Sequence, residues 1–197
     1  MASLQPRCPS RYFGLVACVA GFLRFKGLIR KKISLGDGKY AHVDDQDFHK
    51  LLGYDWIAKP SKGKNGTTYT EYAIFREYVL GKRISVRMHR LILDAPDGVH
   101  VDHIDGNGLN NMRSNLRICT AKDNQGNRRK FSITSSQYKG VCWNKKTSKW
   151  RAQLSSSRQR IFVGEFDSEL DAAHAYDSAA LQYFGEFARV NTYEADK

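Results

Sequence analysis

Alternation of apolar and polar positions divides the chain into short strands with a few helices between them. Strands are predicted at 39–43, 68–75, 82–88, 99–103 and 116–118, and further along at 138–143, 150–155 and 160–166. Helices are predicted at 44–52, 89–93, 121–129 and 168–184. The pattern therefore predicts an α+β fold, with a small supporting sheet first and a three-stranded antiparallel sheet packed on one helix at the end.

Capping residues set the expected helix ends. Asp44 precedes the first helix, and Thr120 with Asp123 forms a possible capping box for the third. Ser168 precedes the last helix and Gly185 ends it. An apolar stripe on the last helix is expected to pack on the sheet as core, and consists of Ala172, Tyr176, Ala179 and Tyr183.

Composition shifts predict five segments. A basic extension covers 1–32, a first domain 33–130, a polar linker 131–137, a second domain 138–191 and a tail 192–197. The extension has an apolar run that is too short to span a membrane, and we expect neither a membrane span nor a secretory signal there. We also expect the two domains to be separable, with nuclease chemistry retained in a fragment that ends near residue 136.

Charge indicates an anionic partner. Lys and Arg total 32 against 20 Asp and Glu, which gives a formal net charge of +12. This charge alone does not separate DNA from RNA or from a membrane surface. The four cysteines form no CxxC pair, so the sequence predicts neither a disulfide framework nor a cysteine zinc site.

Candidate chemistry lies between residues 99 and 129. Asp102 and His103 end a predicted strand, and Asn124 lies in the helix that follows. Carboxylate and amide oxygens suit a hard divalent cation, and an imidazole beside such a cation is a natural general base. Since neighbouring strand residues project to opposite sides, Asp102 is expected to face the helix and His103 the other side. The alternative is a polar turn, which we prefer for Asn107, Asn110 and Asn111.

This segment resembles the HNH nucleases of the ββα-metal class, in particular homing endonucleases of the phage type. The resemblance is carried by Asp102-His103, Asn110-Asn111, Ser114-Asn115-Leu116-Arg117, Thr120, Asn124 and Asn127. It implies that Asp102 and Asn124 bind a divalent metal, Mg²⁺ or alternatively Mn²⁺. It further implies that His103 activates water and that Asn115 holds the loop.

Basic side chains near this motif are candidate phosphate contacts. Arg87 and Arg90 precede it, and Arg128 and Arg129 follow its helix. A solvated charge run is the alternative for Arg128 and Arg129. For His89 we prefer a packed histidine over a part in the active site.

The second domain separates its charges. Seven basic residues and no acidic residue lie in 138–164, whereas the helix that follows is acidic, so the sheet is expected to face phosphates. The segment resembles the plant APETALA-two/ethylene-response-factor DNA-binding domain through Tyr138-Lys139-Gly140-Val141, Trp150-Arg151-Ala152, Phe162-Val163-Gly164 with Phe166, and Ala172 to Asp177. That resemblance implies that DNA is contacted by Lys139, Trp143, Lys145, Trp150, Arg151, Gln153 and Arg160. For Trp150 a core role is equally well supported.

Together the charge pattern and the two family resemblances imply a metal-dependent, homing-type DNA endonuclease that its C-terminal domain targets to double-stranded DNA. The main alternative is a transcription regulator with an inactive HNH half, and an RNA-binding protein is disfavoured. We expect a monomer in the cytoplasm of a bacterial or phage-infected cell, with no membrane partner and no small-molecule cofactor.

Overall fold

The computed structural model describes residues 30–62, 66, 68–130, 135–156 and 159–193. They form a mixed fold of small antiparallel sheets and few helices. The first elements are β1 (Arg30–Ser34), β2 (Tyr40–Asp44), α1 (Asp45–Leu51), β3 (Ile57–Lys62), β4 (Thr68–Val79), β5 (Lys82–Arg87) and α2 (Met88–Ile92). They are followed by β6 (His100–His103), β7 (Leu116–Cys119) and α3 (Ala121–Gly126). The last elements are β8 (Val141–Asn144), β9 (Lys149–Ser156), β10 (Gln159–Phe166) and α4 (Glu169–Phe184).

The N-terminal part contains three small antiparallel sheets around one core. β1 pairs with β2, β4 lies between β3 and β5, and β6 pairs with β7. The core beneath them includes Val43, Leu51, Trp56, Phe75 and Met88. The predicted strands are present, and β1 and β3 were not predicted. β1 begins inside the predicted extension, whose residues 1–29 lie outside the described residues.

One predicted cap is wrong. Asp44 precedes α1 but makes no side-chain capping bond, because its Oδ2 accepts a hydrogen bond from the Arg113 backbone N–H at 2.7 Å. Leu52, the last residue of the predicted helix, follows α1 and is exposed. Asp44 therefore ties the chain near residue 113 to the core instead of starting the helix.

Helix α3 has the predicted beginning and an earlier end. Thr120 and Asp123 form the capping box, with each side chain bonded to the other residue's backbone N–H. The helix ends at Gly126, where a helix to about residue 129 was predicted. The difference is explained by Asn127, whose side chain turns inward and donates to Asp102.

The C-terminal part is a three-stranded sheet of order β10-β9-β8 with α4 packed on it. Ser168 caps α4 through the N–H groups of Leu170 and Asp171, and Gly185 follows the helix with φ of 55°. The buried stripe is Ala172, Ala173, Tyr176, Ala180 and Phe184. The predicted stripe was therefore wrong at Tyr183, which is exposed, because the helix turns Phe184 toward the core instead.

No helix among the described residues is long and apolar enough to cross a membrane.

Candidate active site and DNA-facing sheet

Asp102, His103 and Asn124 line one cleft. In the β6–β7 pair, Asp102 lies opposite Arg117 and His103 opposite Leu116, and α3 follows β7 directly. The cleft has a volume of about 220 Å³, and its lining also includes Tyr72. Asp102 faces Asn127 at the end of α3, whereas the His103 ring packs against Tyr72 and His89, as strand alternation predicted, and both residues line this cleft.

Asp102 is almost fully buried and is held by two side chains. Arg117 donates to its Oδ2 from Nε at 3.0 Å and from Nη2 at 2.9 Å. Asn127 Nδ2 lies 3.0 Å from both carboxylate oxygens and also donates to the His103 carbonyl at 2.8 Å. The bonds to Asp102 therefore concentrate on Oδ2, and Oδ1 accepts only the Asn127 bond among the described residues.

His103 has a defined tautomer. The Asn111 amide nitrogen donates to the Gly108 carbonyl, so its Oδ1 faces His103 Nε2 at 3.3 Å. An amide oxygen only accepts, so Nε2 must carry the proton and Nδ1 the lone pair. Burial lowers the pKa of His103 below its ordinary value, against the opposing effects of Asn111 and of the charge on Asp105. The imidazole is therefore neutral near pH 7, as a general base must be.

The loop after β6 is held by Asn115. Its amide donates to Asp105 Oδ1 at 3.0 Å and to the Asn110 carbonyl at 2.8 Å, and its Oδ1 accepts from the Asp105 N–H at 3.0 Å. Asn110 also donates to Asp105 Oδ2. Burial alone would raise the pKa of Asp105, but its bonds from Asn110, Asn107 and Asn115 keep it below the ordinary value. These contacts close the turn that positions His103.

His89 packs against this site. Its ring meets the His103 ring edge to face at a centroid distance of 4.9 Å, and it is buried. Burial, with the charges of His103, Arg87 and Arg90, lowers its pKa to about 3. Its Nδ1 has no hydrogen-bond partner among the described residues. The packed role preferred from the sequence thus agrees with its surroundings, although it touches the candidate base.

The donor set is small but fits a hard cation. The described residues contain no cluster of three or more His, Cys, Asp or Glu side chains that could hold a metal. A carboxylate offers about four lone-pair sites, and Asp102 Oδ1 uses one of them. Asn124 is half-buried, and its side chain makes no hydrogen bond to other described residues. One carboxylate oxygen and one amide oxygen on an open cleft suit Mg²⁺, which keeps several water ligands.

The candidate phosphate-binding arginines differ in their surroundings. Arg128 and Arg129 are exposed and line the cleft, and exposed Arg87 lies 5.7 Å from the Tyr72 ring centroid. Arg90 instead donates to the carbonyls of Val99, Ala95 and Pro96 at 2.5, 3.1 and 2.7 Å. Its guanidinium braces the loop before β6, which does not support the predicted phosphate contact.

The residues of the sheet that were predicted to contact DNA lie on both of its faces, because side chains alternate along a strand. Ala152 and Leu154 face α4, so Arg151 and Gln153 project from the opposite face. Arg151 donates to Glu165 Oε1 from Nε at 3.0 Å and from Nη2 at 2.8 Å. Lys145 and Arg160 are exposed.

Three other residues predicted to contact DNA, Lys139, Trp143 and Trp150, do not lie on the face opposite α4. Trp150 packs against the core with Trp143 beside it at a ring distance of 5.1 Å, and both share the helix side of the sheet with Val141. Lys139 is turned to the junction with α3, where its Nζ donates to the Gly126 carbonyl at 2.6 Å. Burial lowers its pKa to about 8. These positions do not support DNA contacts by Lys139 and Trp150, while Trp143 is partly exposed at the strand end.

The sequence predicted a turn role for Asn111, named Arg117 and Asn127 only as motif residues, and did not single out Arg189. Asn111 sets the His103 tautomer, Arg117 and Asn127 hold Asp102, and Arg189 lines the cleft from beyond α4. The strand register could have indicated Arg117, since it lies opposite Asp102 in a two-stranded ladder. No local pattern could have indicated Arg189, which is distant in sequence.

Comparison with known proteins gives two family matches. The HNH endonuclease family matches residues 94–125, and the AP2 domain family matches residues 136–186. The first range contains Asp102, His103 and Asn124. The second contains the three-stranded sheet. They support DNA as a partner of the chain.

Individual relatives agree with these matches. The uncharacterized HNH endonuclease L560 of Acanthamoeba polyphaga mimivirus is 34% identical over 164 residues, which cover 79% of this chain and 76% of the relative. Protein 3.8 of Escherichia phage T7 is 38% identical over 94 residues, covering 48% of this chain and 77% of the relative. APETALA2-like protein 2 of Oryza sativa is 37% identical over 57 residues, covering 29% of this chain and 13% of the relative. No solved structure matches the chain significantly.

Proposed function

The chain belongs to the HNH endonuclease family, and we propose that it is a metal-dependent DNA endonuclease of the homing type. In this proposal β6, β7 and α3 form a ββα-metal finger, and the C-terminal sheet selects the target. The observation that carries the proposal is the single cleft lined by Asp102, His103 and Asn124. A carboxylate, a neutral imidazole and an amide on one cleft provide what metal-assisted phosphodiester hydrolysis requires.

His103 acts as the general base in this mechanism. Its Nδ1 lone pair accepts a proton from a water molecule as that water attacks the phosphorus. Asn111 keeps the proton on Nε2 through the bond of 3.3 Å, so Nδ1 is available throughout. Asn115 holds the loop that follows His103 and thereby fixes the position of the base relative to the cleft.

Asp102 and Asn124 hold the cation. When bound, Mg²⁺ or Mn²⁺ neutralises charge on the phosphate and on the leaving oxygen. Arg117 and Asn127 keep the Asp102 carboxylate in place before any metal arrives. Orienting a ligand in this way commonly changes metal affinity or activity by about 10- to 100-fold.

Target selection is assigned to the face of the sheet opposite α4. Arg151, Gln153 and Arg160 are the candidate contacts there, with Lys145 at the adjoining turn. Arg160→Ala should weaken a preferred site more than random DNA, by about 1–3 kcal/mol, if it reads a base edge. A phosphate contact would weaken both duplexes alike, which binding isotherms at several salt concentrations distinguish.

Plasmid nicking tests the nuclease assignment. The full chain is incubated with supercoiled plasmid and Mg²⁺, with Mn²⁺ or with EDTA. His103→Ala should slow single-turnover cleavage by about 10²- to 10⁴-fold. His100→Ala is the matched control, because His100 lies on the same strand and is exposed. Wild-type protein that cuts equally well in EDTA would refute the metal dependence, and protein that never cuts would favour a DNA-binding regulator.

Asn124 gives the sharper test of the metal site, since Asp102 also has structural bonds. Asn124→Ala should abolish cleavage and leave DNA affinity nearly unchanged, because affinity comes mainly from basic surfaces. Asn124→Asp restores an oxygen ligand and should regain metal-dependent cutting. Undiminished cutting by Asn124→Ala would remove this residue from the site.

A further inference from the structure

Arg189 reaches the nuclease cleft from the end of the C-terminal part. It lies beyond α4 and outside the AP2 match of residues 136–186. Its side chain nevertheless lines the same cleft as Asp102, His103 and Asn124. Its Nη2 donates to the Asp105 carbonyl at 3.2 Å and its Nη1 to the Asn127 carbonyl at 3.4 Å.

The backbone of this segment is fixed on the nuclease half. The Arg189 N–H donates to the Gly126 carbonyl at 3.2 Å. Three residues earlier, the Glu186 carbonyl accepts a bond of 2.7 Å from Arg117 Nη1, and the Phe187 ring lies 4.1 Å from the Arg117 guanidinium. Two residues later, Asn191 bonds to Asp177 and to Lys139. Arg189 is therefore held in place from both sides.

Arg189 and Arg129 form a pair of like charges at the cleft. Arg129 Nη2 also donates to the Asp105 carbonyl, at 2.8 Å. A Cβ added at Gly106 would lie 2.8 Å from Arg189 Nη1 and 3.0 Å from Arg129 Nε, so both guanidinium groups converge on this glycine. Among the described residues their bonds go to carbonyls, and neither forms an ion pair with a carboxylate.

Neither guanidinium has a carboxylate bonded to it among the described residues. Burial and the neighbouring Arg129 charge lower the pKa of Arg189, against the opposing charges of Asp105 and Asp102. A DNA phosphate entering the cleft would place an anion directly against both guanidinium groups. The planar guanidinium fork matches phosphate oxygens, and several of its five N–H donors remain for them.

We propose that Arg189 binds the DNA phosphate in the nuclease cleft together with Arg129, so that the segment after α4 completes the nuclease site. This inference rests on the proposed function of the cleft. It gives the C-terminal part a second task besides target selection. A fragment ending near residue 136 lacks Arg189, Phe187 and Lys139. Under this proposal such a fragment should therefore lose nuclease activity, contrary to the expectation from the sequence.

The test measures single-turnover plasmid cleavage at saturating protein, with the full chain. Arg189→Ala should lower the rate by about 10²-fold, the usual effect of removing one preorganised donor to a developing charge. Arg76→Ala is the charge-matched control, since Arg76 is exposed on β4 and does not line the cleft. Its rate should equal that of the wild type.

Arg189→Gln separates charge from structure. Glutamine keeps the aliphatic stem and an amide N–H donor, but it carries no charge. A rate as low as that of Arg189→Ala, with partial recovery in Arg189→Lys and on addition of methylguanidinium to Arg189→Ala, would support phosphate binding. A wild-type rate in Arg189→Gln or in Arg189→Ala would overturn it. If the wild type itself does not cut with Mg²⁺ or Mn²⁺, the proposed function fails first and this inference fails with it.

Discussion

Arg117 donates two hydrogen bonds to one oxygen of Asp102, from Nε at 3.0 Å and from Nη2 at 2.9 Å, both to Oδ2. The side chains are 15% and 7% exposed, so this is a buried ion pair. Because both bonds go to Oδ2, Oδ1 is the carboxylate oxygen that stays available for a metal ion. Because Arg117 also bonds to the Glu186 carbonyl, the same guanidinium connects the candidate metal ligand to the segment after α4.

Loss of Arg117 should destabilise the protein. Arg117→Ala leaves the buried Asp102 side chain without its cationic partner, and breaking a buried ion pair in this way typically costs about 3–5 kcal/mol. Denaturant unfolding measures the change in the free energy of unfolding. The control is Lys31→Ala, whose pair with Asp45 spans 3.6 Å at the surface and should contribute less than about 1 kcal/mol. Equal effects of the two variants would contradict the buried pair.

Asn111 should matter for the reaction rate rather than for binding. Asn111→Ala removes the acceptor that keeps the proton on His103 Nε2, so a fraction of the imidazole adopts the wrong tautomer. We expect cleavage to slow by about 10- to 100-fold, the range found for residues that orient a functional histidine. Single-turnover kinetics measure it. His100→Ala, at an exposed position of the strand that carries His103, should cut at the wild-type rate.

His89 should account for a large part of the stability lost below neutral pH, with His103 acting in the same direction. Its pKa is about 3 in the folded protein, below the ordinary value of 6.5. Between these values the unfolded chain binds the proton and the folded protein does not, so stability is retained above pH 6.5 and lost as the pH falls toward 3. The slope is at most about 1.4 kcal/mol per pH unit.

His89→Gln should therefore flatten the dependence of the free energy of unfolding on pH in this window. His100→Gln is the control and should keep the wild-type slope, because His100 is exposed. Unfolding midpoints in denaturant at a series of pH values provide the measurement. An unchanged slope in His89→Gln would mean that His89 becomes protonated without unfolding.

The contact between α3 and α4 depends on a glycine. A Cβ at Gly126 would lie 2.7 Å from Phe184 Cγ and 2.9 Å from Phe184 Cβ. Gly126→Ala should therefore destabilise the protein by about 1–3 kcal/mol through overpacking. Gly53→Ala is the matched control, since nothing lies within 4 Å of its added Cβ. A neutral Gly126→Ala would show that the helices separate easily.

The sequence predicted what depends on local patterns. The paired strands β4 and β5, the capping box of Thr120 and Asp123, and the Ser168 cap each follow from residues close together in the chain. The strand β3 was not predicted because Pro60 argues against a strand, although an edge strand tolerates proline. Asp44 showed why a capping residue is not always a cap: a backbone N–H from residue 113 binds it instead.

The candidate site could be predicted only in part for the same reason. Asp102, His103 and Asn124 fall within one short motif, and they line one cleft. The partners that hold them depend on tertiary contacts. Lys139 was assigned to DNA through the resemblance of its segment to the APETALA-two/ERF domain, but its side chain is turned toward α3 and bonds to the Gly126 carbonyl. Residues 126 and 189 are far apart in the sequence, so no local pattern could indicate that their backbones meet.

The return of the chain after α4 has a practical consequence for retargeting this nuclease. A chimera that exchanges the whole C-terminal part at the linker 131–137 would discard Phe187 and Arg189 together with the sheet. Substitutions confined to the side chains of β9 and β10 that face away from α4 would leave residues 185–193, which contact the nuclease half, intact. Under the proposed role of the sheet in target selection, reprogramming is therefore better attempted by resurfacing the sheet than by exchanging the whole C-terminal part.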